Sequence, residues 1–268
     1  MYPRIIDFSP LNLFGFPLAI NSYGVMIALG FLAAHYGLSR ELPRKGLSEE
    51  LASAITSSAA IGGFLGAKLY YVIESGQWSL ASGFVWYGGL IGGTLVVLII
   101  VFRSNNPVWS VIDTIGPFLI LGYGIGRIGC FLAGDGCYGK PGDFPWCVTF
   151  PEAVVTHFSY KDVIHYVTPN SVTDVLTPVH PTPIYETIIS CFSFGLLWRF
   201  RRKLEYRSGV LFGLTLLAMG IERFTVEFWR INQKYVWLFS GAQVISLILI
   251  GIGILMVIYR WHKAQLQA

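Results

Sequence analysis

Seven apolar runs, each about 20 residues long, recur along the chain at roughly 19–38, 51–73, 84–102, 108–131, 178–198, 209–229 and 238–259. Twenty residues of α-helix, at about 1.5 Å rise each, match the hydrocarbon core of a bilayer. Lipid offers no hydrogen bonds to bare backbone, so a chain with seven such runs has few folds open to it besides a helix bundle. The expected fold class is an all-α membrane protein, a seven-transmembrane-helix bundle. Its 268 residues form one integral membrane domain (1–268). The charge balance agrees: 54% of residues are hydrophobic and only 13% charged, where soluble domains carry about 25% charged. Mean hydropathy is +0.59. Disorder, a coiled coil and nucleic-acid binding are excluded on this balance.

Two segments fall outside the spans. Residues 1–18 carry Arg4 and are broken by Pro3, Pro10 and Pro17, which suits an arm on the membrane surface better than a cleavable signal peptide. The stretch 132–177 is polar, with Gly, Pro and Asp, and is expected to form a loop subdomain. Alternating the spans puts Arg40, Arg44, Lys45, Arg103, Arg199, Arg201, Arg202, Lys203, Arg207, Arg260 and Lys263 on one side. Arg4, Lys140, Lys161, Arg230 and Lys234 fall on the other. The positive-inside rule then gives N-out, C-in, with the 132–177 loop extracytoplasmic. Gly62/Gly66, Gly88/Gly92 and Gly89/Gly93 are small residues four apart, which predicts close packing of the second and third helices. No internal repeat is visible, which weakens a transporter built from duplicated halves.

Ionisable groups inside spans cost roughly 2.5–3.5 kcal/mol by insertion scales, so each asks for a partner or a task. Arg127 lies in GYGIGRIGCFLAGDGCYG. Its guanidinium among exposed glycine backbone suits a phosphate, and the plainer alternative is snorkelling to outer headgroups. Arg223, Glu227 and Arg230 stand at i, i+4 and i+7 on one helix face, either as a self-neutralising ladder or as a second anion grip oriented by Glu227. His180, Tyr185 and Glu186 open the fifth span in HPTPIYE. Tyr23 and Tyr87 read as interface anchors. Cys137 is spaced to pair with Cys130 or Cys147 in an oxidising compartment; Cys130 is also a candidate nucleophile beside Arg127. Cys191, mid-span, reads as a buried small hydrophobe. No metal or cofactor is implied, because His and carboxylates do not cluster at ligand spacing.

The blocks SYGVM (22–26), YGGLIGG (87–93), GRIGCFLAGDGCYG (126–139), HPTPIYE (180–186), ERFTVEFWR (222–230) and SGAQVIS (240–246) together resemble the bacterial prolipoprotein diacylglyceryl transferases, in family order and from end to end. That resemblance implies transfer of the diacylglyceryl group of phosphatidylglycerol to the thiol of a lipobox cysteine in a preprolipoprotein, with glycerol phosphate leaving. It implies a multi-pass protein of the bacterial cytoplasmic (inner) membrane whose site faces the outer leaflet. The partners are then phosphatidylglycerol, the lipobox signal peptide and the membrane, with no nucleic acid.

By the same resemblance Arg127 grips the lipid phosphate, Arg223 is a second essential arginine with Glu227 and Arg230 beside it, and Tyr23, Gly88 and Gly89 line the lipid cavity. Tyr87 and Asp135 are expected to orient the acceptor. Cys130, His180, Tyr185 and Glu186 complete the expected substrate site. The chain departs from the family at Tyr87, where His is usual, and at Cys130 and Ala133, where Asn is usual; Asp135 stands near a usual Glu. Two alternatives follow: a paralogue that uses phosphatidylglycerol with a different acceptor, and a non-catalytic lipid-binding or thiol-redox membrane protein.

Overall fold

Every apolar run contains an α-helix, as the backbone's need for internal hydrogen bonds requires. The computed structural model describes residues 2–13, 16–76, 78, 83–169, 176–232, 234–236 and 239–266. The chain begins with an antiparallel hairpin, β1 (Arg4–Leu13) and β2 (Phe16–Asn21). Helices α1 (Ser22–Arg44), α2 (Glu50–Ser75), α3 (Trp86–Arg103) and α4 (Val108–Ala133) follow. A second hairpin, β3 (His157–Tyr160) with β4 (Val163–Tyr166), lies in the long loop. Helices α5 (Thr182–Leu204) and α6 (Val210–Val226), the short pair β5 (Lys234–Val236) and β6 (Phe239–Ser240), and α7 (Gly241–Leu266) complete the chain. Among the described residues four helices, α1, α3, α4 and α7, are long and apolar enough, by length and composition, to cross a membrane.

The expected surface arm is therefore a two-stranded ribbon. Pro3 precedes it, and Pro10 and Pro17 are tolerable because a two-stranded ribbon consists only of edges. Its tip, 14–15, lies outside the described residues, as do 170–175 of the loop and residue 238 at the start of the last run.

Close helix contacts fall where side chains are smallest. A Cβ placed on Gly62 would come within 2.8 Å of the Gly92 carbonyl oxygen, and one on Gly66 would strike the Gly88 carbonyl. The predicted α2–α3 packing is thus backbone against backbone. The same device joins α6 to α7, where a Cβ on Gly253 would sit 2.8 Å from the Gly213 oxygen, and α4 to α5, where one on Gly124 would meet Ser190 at 2.9 Å.

Large apolar side chains cover much of the exterior: Ile73, Phe192 and Leu255 are all about 70% exposed, an arrangement suited to lipid rather than water. Cys191 is exposed on this exterior. The expectation that it is buried fails: among the described residues its side of α5 faces outward. The main core knots α1, α2, α3 and α4 through Leu38, Leu42, Leu51, Ile55, Val101 and Phe118. The 132–177 loop has a small core of its own, in which Tyr138, Phe150 and Val167 pack with Val179.

Candidate active site

Three helix ends meet at one carboxylate. Glu186, in the first turns of α5, is fully buried. Its Oε2 accepts a hydrogen bond from Arg127 Nε of α4. Its Oε1 accepts from Arg223 Nη1 of α6 at 2.8 Å and from the Tyr123 hydroxyl at 3.2 Å. Arg230 Nη1 stands 3.8 Å from the same oxygen. A charge taken out of water is tolerable only when paired and hydrogen-bonded, and here a single acid is shared among three bases.

Glu227 is the second counter-charge. Its Oε2 lies 2.9 Å from Arg223 Nη2 and 3.7 Å from Arg230 Nε. Its Oε1 accepts from Ser240 Oγ and from Asn232 Nδ2, both at 2.6 Å. The three residues Arg223, Glu227 and Arg230 do converge, but not on one continuous helix face. After Val226 the chain tightens into a 3₁₀ turn (Glu227–Trp229), and Arg230 is extended. The loop explains this break: the Trp229 carbonyl accepts the Lys140 amide at 2.8 Å and Arg230 bridges Gly139, so the backbone there is already engaged. The third guanidinium has no carboxylate of its own. Arg127 Nη2 also lies in ion-pair contact with Glu186 Oε2, and Arg230 Nε, buried 3.7 Å from Glu227 Oε2, makes no hydrogen bond among the described residues.

Thiols border the same charges. Arg127 Nη1 donates to Cys130 Sγ at 3.3 Å and to Cys137 Sγ at 3.6 Å. Asp135 accepts the Cys137 amide at 3.1 Å. The Asp135 carboxylate and both sulfurs lie within 4.8 Å of one another, close enough to surround a metal ion, a grouping that the linear spacing did not suggest. The Cys137 thiol is pulled down to about 6, first by the hydrogen bond from Cys130, against the opposing effect of burial, and then by Arg127. All four cysteines are free thiols, so the spacing argument for a disulfide at Cys137 is not realised here.

Below the arginines an apolar cavity of about 560 Å³ opens among α1, α2, α3 and α4, lined by residues such as Phe31, Gly89, Val97 and Leu119. Tyr123 lines it too, so one side chain touches both the cavity and Glu186. Tyr123 was missed by the sequence reading, although it lies one helical turn before Arg127 with its ring 5.8 Å from that guanidinium. Thr182 was missed as well; its hydroxyl donates to the Cys137 carbonyl at 2.6 Å, which also receives Arg230 Nη1 at 3.2 Å.

Other expected residues are placed differently. Tyr23 packs over Gly129, whose Cβ would meet the Tyr23 Cα at 3.1 Å. Gly88 is buried against α2, whereas Gly89 reaches the cavity wall. His180 Nδ1 and the Tyr185 hydroxyl share a hydrogen bond of 3.0 Å. Tyr87 is half-exposed against Trp86 at the start of α3, and among the described contacts none joins it to the arginines.

Residues 11–259 match the family model described as prolipoprotein diacylglyceryl transferase. The phosphatidylglycerol–prolipoprotein diacylglyceryl transferase of Clostridium tetani is 37% identical over 250 residues, covering 89% of this chain and 92% of its own. The enzyme of that name from Staphylococcus carnosus is 33% identical over 264 residues (93% and 89%). That of Erwinia tasmaniensis is 28% identical over 292 residues (99% and 97%).

Proposed function

The chain belongs to the prolipoprotein diacylglyceryl transferase family, and on that premise we propose that it transfers the diacylglyceryl group of phosphatidylglycerol to the cysteine thiol of a lipobox. The observation that carries this reading is the joining of a buried three-arginine cluster to an apolar cavity through Tyr123. A diacyl lipid with a phosphate head has those two chemistries at that separation.

The lipid phosphate sits against Arg127, sharing its guanidinium with Glu186, and the acyl chains lie in the cavity beside Gly89. The acceptor thiolate attacks the glyceryl carbon. A C–S bond forms, the C–O bond to phosphate breaks, and the electron pair leaves with glycerol phosphate. Arg223 and Arg230 stabilise that departing charge in a site largely closed to water. The thiol proton needs a base. Glu186 and Glu227 are engaged by arginines, whereas among the described residues Asp135 has no guanidinium partner and accepts the Cys137 amide. Asp135 is the base in this reading, and Cys130 and Cys137 form the polar wall beside it. Tyr87, removed from the charges, contacts the incoming peptide or the lipid surface, and Tyr23 and Gly88 belong to the supporting wall. His180 and Tyr185 hold the loop against α5.

All seven helices span the bacterial inner membrane in this reading, N-out and C-in. The one integral membrane domain then carries the 132–177 subdomain and the arginine cluster at the outer leaflet. The asymmetry of Lys and Arg supports that orientation.

Purified protein in detergent, given phosphatidylglycerol and a lipobox peptide, is expected to raise the peptide mass by one diacylglyceryl unit. Arg127→Ala and Arg223→Ala are each expected to lower the rate at least a hundredfold. An unmodified peptide, with a relative of the same family active in parallel, would overturn the assignment and point to another acceptor.

A further inference from the structure

At the end of the bundle opposite Arg127, the start of α4, the α5–α6 turn and the end of α7 enclose a second cavity of about 380 Å³. Its polar lining is Ser110, Tyr206, Ser208, Arg260 and Lys263, with Trp109 at its wall. Arg260 is fixed: its Nε donates to the Ser208 carbonyl at 2.6 Å, and its guanidinium lies 4.6 Å from the centre of the Trp109 ring. Among the described contacts its two terminal nitrogens meet no acceptor. No carboxylate comes within ion-pair distance of Arg260 or Lys263 among the described residues. Asp113, the acid of this end of α4, gives both oxygens to the backbone amides of Gly209 and Phe212. Arg207, between two lining residues, stacks on Trp261 at 3.2 Å and keeps Nε and Nη1 buried without a partner. Helix α4 begins at this pocket with no side-chain cap and no acid in its first turn, so its positive end adds to the same field.

We propose that this pocket binds a phosphate-bearing anion. A basic rim that merely snorkels to headgroups has no need of a cavity, of an arginine held by two contacts, or of two hydroxyls beside it. A fixed guanidinium, an ammonium and serine hydroxyls without an acid are instead the donor set of a phosphate site. Two sources carry that group: an anionic lipid headgroup in the leaflet on this side, and free phosphate. Basic pockets between helices at the positively charged face suit the former. The site is separate from the transfer chemistry and does not depend on it.

The test compares the wild type with Arg260→Gln/Lys263→Gln by native mass spectrometry in neutral detergent, using phosphatidylglycerol, phosphatidylcholine with the same acyl chains, or inorganic phosphate. The expected result is one bound phosphatidylglycerol fewer per molecule in the variant, with phosphatidylcholine binding unchanged. An inorganic phosphate adduct lost in the variant, with equal lipid binding, would also support the site and assign it to free phosphate. Ser110→Asp guards against misfolding as an explanation. An acid in the first turn of α4 favours the helix yet puts a negative charge in the pocket, so a folded Ser110→Asp protein should show the same loss. Equal lipid and phosphate binding in the wild type, the double variant and Ser110→Asp would overturn the proposal.

Discussion

Single side chains at the site owe their chemistry to which neighbour claims them. Cys137 is a thiol whose proton is loosened chiefly by the hydrogen bond from Cys130 and then by Arg127. Its lowered value makes it thiolate above about pH 6, so alkylation by iodoacetamide should be near its plateau at pH 7 and fall as the pH drops through about 6. Cys130→Ala removes the largest lowering influence, and the midpoint should move up towards the ordinary thiol range near 8.5. Mass spectrometry of the alkylated peptide over a pH series reads both. An unchanged midpoint in the variant would show that the sulfur pair does not act as a unit. Asp135 and Tyr123 show how local sequence informs and misleads. Tyr123 is one turn from Arg127 and was in principle visible, whereas the approach of Asp135 to two sulfurs depends on the turn through Gly134, which sits at a positive φ of 61°.

Helix pairs show where spacing is enough. The small residues of α2 and α3 predicted their contact because four-residue spacing alone fixes a face. In Gly66→Ala the new Cβ meets the Gly88 carbonyl and the Gly92 Cα, at 2.9 Å for the latter, and both are backbone. Overpacking of about 1–3 kcal/mol should outweigh the roughly 1 kcal/mol that alanine gains over glycine in a helix. At Gly195 nothing lies within 4 Å, so Gly195→Ala should be neutral or stabilising. The thermal midpoint in detergent should therefore fall in Gly66→Ala and hold or rise in Gly195→Ala, and equal shifts would mean that α2 and α3 yield more easily than their contacts imply. The element that resisted prediction is the end of α6. Periodicity carried a helix through Arg230, but Gly139 and Lys140, distant in sequence, take the backbone there. The N-terminal ribbon was hidden for a related reason, since its pairing is set by β2 and not by the prolines within either strand. Cys191 was misplaced because hydropathy says a helix is apolar without saying which side meets protein.

At the scale of the whole molecule, Glu186 joins α4, α5 and α6 through one carboxylate. Removing its charge leaves Arg127 without a carboxylate and Arg223 and Arg230 with Glu227 alone, and breaking a buried pair of this kind costs about 3–5 kcal/mol. Glu186→Gln should thus lower the thermal midpoint and abolish transfer together. A variant that keeps its midpoint while losing activity would assign Glu186 to chemistry alone. The composition made the bundle legible and the motifs made the arginines legible, but the sequence gives no sign that one acid holds them all; that is a property of three chain segments meeting. The shared acid also bears on timing. In the proposed function, Glu186 already occupies the ground that an incoming phosphate would share, and it stays when a product departs. A binding site that carries its own stand-in for the ligand is never left as a bare cluster of like charges, so the product can be exchanged without first being rescued by solvent. If the proposed assignment holds, that arrangement trades raw affinity for faster release of product, as weaker product retention than in a site without a resident acid would show.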